Sequence, residues 1–228
     1  MTPSSIFLID GDRGLVELTN QPYESEAILQ QLLALHPGVL SGKAGTGNLL
    51  LVGREMGVPS EEGGGNRWAL DHLFLDGDGI PVLVEVKRST DSRIRREVVG
   101  QMLDYAANAV HYWPVETIRE QFEDGCRERG VDAGFVVGEF LGVGVGDDGV
   151  ARFWEAVATN LRAGRVRLIF VADVIPPELR RVVEFLGEQM SPAEVMAIEV
   201  RQYRNGDARA VVPNLIRAPE RATSSIRT

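Results

Sequence analysis

Asp71, Glu85 and Lys87 are the residues whose types and spacing point most directly to chemistry. Asp71 alternates with Leu70 and His72 in the strand-like run from Trp68 to Leu75. In the next run, Val82 to Lys87, a side-chain period of two puts Leu83, Glu85 and Lys87 on one face and Val82, Val84 and Val86 on the other. Between the runs, Asp76-Gly77-Asp78-Gly79 is a hairpin turn signal. An antiparallel hairpin therefore brings Asp71 beside Glu85. Two carboxylates and a lysine converging at a sheet are costly to desolvate unless a cation joins them, and such hard oxygen ligands suit Mg²⁺ or Mn²⁺. A surface ion pair of Glu85 with Lys87 on an edge strand is the plainer account. The apolar run Val82 to Val86 argues against it, because it reads as an inner strand whose charged face needs a reason.

Asp71 followed by Glu85-Val86-Lys87 on the next strand resembles the PD-(D/E)XK motif of the restriction-endonuclease-like nucleases. Gln101-Met102-Leu103-Asp104-Tyr105 resembles the QxxxY helix motif of the RecB-like branch of that superfamily. The residue before Asp71 is Leu70, not proline. The likeness spans about residues 24–110, continues to about 203, and is similar in kind to NucS-like and Holliday-resolvase-like endonucleases. It implies an α/β fold with a central mixed β-sheet flanked by helices. It also implies a metal-dependent nuclease acting on nucleic acid, DNA above all, in repair, recombination or defence.

On that resemblance Asp71 and Glu85, with a backbone carbonyl near Val86, hold Mg²⁺ or Mn²⁺. Lys87 orients the attacking water or stabilises the transition state. Gln101 and Tyr105, four apart and so on one helical face, orient the water, Lys87 or the phosphate. An acid on the first helix completes the metal site: Glu26, with Glu24 as the alternative. The residues by themselves also admit plainer accounts: Glu26 as an acid favoured by the helix dipole, Tyr105 as a core aromatic, Gln101 as a solvated side chain. Two other functions compete: a module of the same fold that binds nucleic acid without cleaving it, and a protein-interaction domain with acidic helices. Loss of a motif residue would mark the first, and here all five are present.

The elements around the motif follow from periodicity. A short hairpin, Ser5 to Ile9 and Gly14 to Leu18, either extends the sheet or meets a second subunit in a homodimer. A helix runs from Glu24 to His36 with Ser25 as N-cap, and a short strand from Asn48 to Val52. Gly53 to Asn66 reads as a loop beside the site. A helix from Arg93 to Trp113 carries QxxxY, and another runs from Pro114 to Arg129. The glycine-rich stretch from Val131 to Gly149 reads as a strand and a mobile loop. An amphipathic helix from Phe153 to Ala163 precedes the apolar strand Arg167 to Val171. Pro176-Pro177 opens a helix to about Met190, and Val195 to Tyr203 reads as the last strand. Three segments result: an N-terminal hairpin over 1–20, a nuclease-like domain over 21–216, and a disordered tail over 217–228.

Of the 228 residues 44% are hydrophobic and 25% charged, which is ordinary for a globular chain that buries a core. No apolar run is long enough to span a bilayer and no signal segment opens the chain, so the expectation is a cytoplasmic protein. The lone Cys126 excludes an internal disulfide and a cysteine-based zinc cluster. A formal charge of −9 argues against indiscriminate nucleic-acid binding. Locally the balance reverses: Lys87, Arg88, Arg93, Arg95 and Arg96 are opposed between 87 and 96 only by Asp91. The four arginines of this cluster are candidate phosphate contacts.

Overall fold

A computed structural model describes residues 4–9, 14–44, 47–59, 66–90, 97–144 and 148–217. The chain folds as α/β, with eight strands in one mixed sheet and helices on both faces. At one end of the sheet three strands pair in antiparallel fashion: β3 (Leu49–Pro59), β4 (Asn66–Asp76) and β5 (Pro81–Lys87). From β5 the sheet continues in parallel to β6 (Arg167–Ala172) and β7 (Glu194–Asn205). The inner strands β5 and β6 are apolar nearly throughout because both of their faces are covered.

The long strand β7 joins everything else. One of its edges carries β6 along Glu194–Glu199, and then β2 (Leu15–Gln21) along Gln202–Arg204. β8 (Ala208–Arg217) fills the opposite edge for its whole length. β1 (Ser5–Ile9) pairs with β2, so the N-terminal hairpin is hydrogen-bonded into the same sheet. It stands past the carboxyl end of β6.

Two helices cover one face: α1 (Glu26–Leu35) and α2 (Gly38–Ala44). Leu29, Leu33 and Leu40 pack there against Val82, Val84, Val86, Ile169 and Ile198. The other face carries α3 (Glu97–Tyr112), α4 (Val115–Glu128), α5 (Ala133–Leu141), α6 (Gly149–Arg162) and α7 (Pro177–Gln189). Their apolar stripes, including Met102, Phe122, Cys126, Trp154, Val157 and Val183, bury Leu73, Leu83, Leu168 and Phe170. The period-two reading of β5 therefore holds, with the valines under α1 and Leu83 under α3.

The turn at Asp76 to Gly79 forms as expected. Asp76 Oδ1 accepts the N–H groups of Asp78 and Ile80, and Gly79 takes the φ of 72° that a residue with a Cβ rarely adopts. Ser25 caps α1, accepting from Ile28 N–H.

Three expectations give way. The segment after Val52 is not a loop up to Asn66: β3 continues past a bulge to Pro59 and pairs with β4, leaving 60–65 outside the described residues. The stretch after Val131 contains a helix, α5, not a strand. Asp132 accepts from Phe135 N–H at its start, and Gly142, at φ 68°, closes it. Val195–Tyr203 is not the last strand, since β8 follows after a turn at Gly206. Pro213 lies within β8, on the outer edge of the sheet, where a missing N–H costs little.

Candidate active site

The site lies where β4 and β5 part. Their register runs from Leu75↔Pro81 to His72↔Val84. At the next position the ladder is replaced by a side chain: Val86 N–H donates to Asp71 Oδ2 at 2.7 Å. On the other side of β4 the register with β3 brackets Asp71 between Arg54↔His72 and Met56↔Leu70. Glu55, in that bracket, has a φ of 50°, a left-handed conformation that a residue with a Cβ seldom holds. Strand alternation breaks here as well, since Leu70 and Leu73, three apart, both pack in the α3 layer. The Asp71 carboxylate thus sits in the gap between the strands, within reach of both faces of the sheet.

Glu85 and Lys87 reach the gap from β5, and α1 supplies two more side chains. Lys87 Nζ lies 2.9 Å from Glu85 Oε1, 3.4 Å from Glu26 Oε1 and 3.9 Å from Asp71 Oδ2. It also donates to Val86 O at 3.0 Å. Gln30 Nε2 donates to Asp71 Oδ1 at 2.8 Å. Accessibility is graded across the group: the Glu85 side chain is 1% exposed, Lys87 13%, Asp71 14% and Glu26 31%. Among the described residues Glu85 Oε2 is buried with no hydrogen-bond partner.

Electrostatics follow from that burial. Desolvation, then the charge of Asp71, pushes the Glu85 carboxyl up to about 7 against the pull of Lys87. Desolvation also raises Asp71, opposed by Lys87 and by the Val86 N–H. For Lys87, burial acts downward, but the Glu85 and Asp71 carboxylates outweigh it and hold the ammonium above its ordinary range. Among the described residues, three carboxylates around the Lys87 ammonium leave a formal charge of −2. Among the described residues no group of three His, Cys, Asp or Glu side chains is spaced to share a metal ion as it stands. Here the Lys87 ammonium stands between the carboxylates, on oxygens of the hard kind that suit a divalent cation.

No protein-family model matches this chain, and neither the curated proteins nor the solved structures contain a match to it.

Asp71, Glu85, Lys87 and Glu26 are brought together, and Glu26 rather than Glu24 reaches Lys87. The Glu24 side chain instead pairs with Arg204, and its carbonyl accepts from Arg88 Nη1. Tyr105 is buried on α3, and its hydroxyl donates to Ala69 O at 2.9 Å, two residues before Asp71. Gln101 Nε2 donates to that same hydroxyl. Both motif residues thus tie α3 to the strand that carries Asp71. Burial, then the charge of Glu85, pushes the Tyr105 hydroxyl up to about 12. Of the arginine cluster, Arg88 follows β5 directly, while Arg93, Arg95 and Arg96 lie outside the described residues.

Two contributors were not anticipated. Gln30 lies one turn after Glu26, so an i, i+4 reading of α1 could have found it once Glu26 was chosen. Asp173, at the end of β6, accepts from Ser89 N–H at 2.7 Å and from Ser89 Oγ at 3.1 Å, fixing the chain just after Lys87. No local signal marks Asp173, because its partner is 84 residues away.

Proposed function

We propose that this chain is a divalent-metal-dependent nuclease of the restriction-endonuclease-like fold, hydrolysing phosphodiester bonds in DNA. One observation carries the reading. Four oxygens, from Glu85, Val86, Glu26 and Asp71, surround the Lys87 ammonium, and a further buried carboxylate oxygen beside them has no hydrogen-bond partner among the described residues. The donor set fits Mg²⁺ or Mn²⁺, since every atom in it is a hard oxygen and the negative charge is in excess. Asp71, Glu85 and the Val86 carbonyl would hold the ion, with Glu26 at the more open side. A divalent ion in such a site lowers the pKa of a bound water and neutralises charge developing on phosphoryl oxygens.

The protein's own residues supply the rest. Lys87, carried by a strand paired on its far side with β6, can donate to the attacking water or to the scissile phosphate. Tyr105 and Gln101 fix the β4 backbone beside Asp71. Arg88, with Arg93, Arg95 and Arg96 assigned on sequence grounds, contacts phosphates rather than bases.

A second reading has its own observation. Lys87 already occupies the position of a cation, which suits a module that binds nucleic acid without a metal. The two separate by a cleavage assay on labelled single-stranded, duplex, mismatched and branched DNA with Mg²⁺ or Mn²⁺. The nuclease reading expects cleavage by the wild type. It also expects Lys87→Ala to lower kcat by roughly a hundredfold with little change in KM. Wild-type protein that binds these DNAs but cuts none of them would transfer the assignment to the binding module.

A further inference from the structure

Gln30 touches the site twice. From the middle of α1 its side-chain Nε2 donates to Asp71 Oδ1 at 2.8 Å, and its main-chain oxygen lies 2.9 Å from His72 Nε2. Consecutive residues of a regular strand point to opposite faces. Both reach one helical residue here because the Asp71 carboxylate occupies the gap between β4 and β5. A carbonyl can only accept, so the contact needs a proton on His72 Nε2, as in the neutral Nε2–H tautomer. Burial agrees, holding the His72 pKa down at about 4. Helix α1 is thereby pinned to β4 at Gln30, one turn beyond Glu26.

We infer that Gln30 is the positioning residue of this site: it holds the Asp71 carboxylate in the orientation that turns Oδ2 toward the Val86 N–H and Lys87. The division of oxygens makes the case. Oδ1 takes the Gln30 amide, while Oδ2 takes the Val86 N–H at 2.7 Å and lies 3.9 Å from Lys87 Nζ. The same residue, through its carbonyl, sets the depth at which α1 presents Glu26. The inference rests on the nuclease reading only for its effect on metal affinity. Its geometric content stands apart from that.

The test uses the full chain as wild type, Gln30→Leu, which keeps the helix and the carbonyl bond to His72, and Gln30→Glu, which keeps the size. Amide hydrogen exchange is followed by NMR without metal, at Val86 and, as an internal reference, at Val84 on the same strand. Releasing the Asp71 carboxylate should speed exchange at Val86 about tenfold or more relative to Val84, in both variants. A merely structural role would speed both amides together. Either that result or an unchanged Val86 overturns the inference. In a second arm, Mn²⁺ titration should show Gln30→Leu binding roughly 10- to 100-fold more weakly than wild type. Equal affinities would also overturn the positioning role. Should the wild type bind no Mn²⁺, the metal reading falls, and the exchange ratio alone decides for or against Gln30.

Discussion

Two charge clusters, each built on a buried carboxylate, stand at opposite ends of β5, roughly 17 Å apart by the rise of a strand. At its start, Arg167 Nη1 meets Asp76 Oδ2 at 3.0 Å while its Nε meets Glu194 Oε2 at 2.8 Å. Asp76 Oδ1 accepts two turn N–H groups, so both oxygens of that buried carboxylate are used. At the far end, Lys87 faces three carboxylates, Glu85 Oε2 has no hydrogen-bond partner among the described residues, and the strands beside Asp71 part. Both ends bury a carboxylate against a cation. Only the first satisfies it. A cluster whose buried carboxylate is fully hydrogen-bonded holds a fold together, whereas one with three carboxylates on one ammonium and an orphaned oxygen costs stability and needs another reason to persist.

The largest effect should come from breaking the fully hydrogen-bonded end. Arg167→Ala leaves Asp76 buried without its cation, and should cost about 3–5 kcal/mol in urea unfolding. A loss under 1 kcal/mol would mean the two ends are not different in kind.

At the other end the sign should change. Glu85→Gln removes surplus charge from a desolvated position, so at pH 8 it should be neutral or stabilising by roughly 1 kcal/mol. The pH dependence follows. A folded-state pKa of about 7, above the ordinary value of 4.5, means the native state keeps a proton that the unfolded state has lost. Wild-type stability should therefore fall as pH rises from about 4.5 to about 7, and Glu85→Gln should flatten that slope. Equal slopes in urea titrations across this window would show that Glu85 is not the desolvated group.

The smallest effect concerns the backbone. Glu55 is exposed and holds a φ of 50° beside Asp71. Glu55→Gly should raise stability by about 1 kcal/mol by relieving the left-handed conformation. A loss of stability would mean that the Glu55 side chain contributes more than its conformation costs.

The central hairpin was legible because its signals are local: alternation on both strands and a turn that only certain residues make. The Asp71, Glu85 and Lys87 convergence follows from that hairpin, and Glu26 from the stripe of α1. What did not show is what depends on distant partners. The extension of β3 through Gly53–Pro59 is dictated by pairing with β4, against its own loop-like composition. β8 is a strand because β7 offers it an edge, despite Pro213. Helix α5 was obscured by glycines, one of which serves as its terminator. Gln30 and Asp173 belong to the site through contacts 41 and 84 residues away in sequence.

Calorimetric titration with Mn²⁺ near pH 7, in buffers of different ionisation enthalpy, tests the surplus-acid site most directly. The expected result is binding by wild type with proton release, as Glu85 loses its proton to the buffer when the ion binds, and retained binding in Arg167→Ala under conditions where that variant is folded. Asp71→Ala and Glu85→Ala should each abolish it. Wild-type protein that takes up no Mn²⁺, or Asp71→Ala and Glu85→Ala variants that bind as wild type does, would contradict the account.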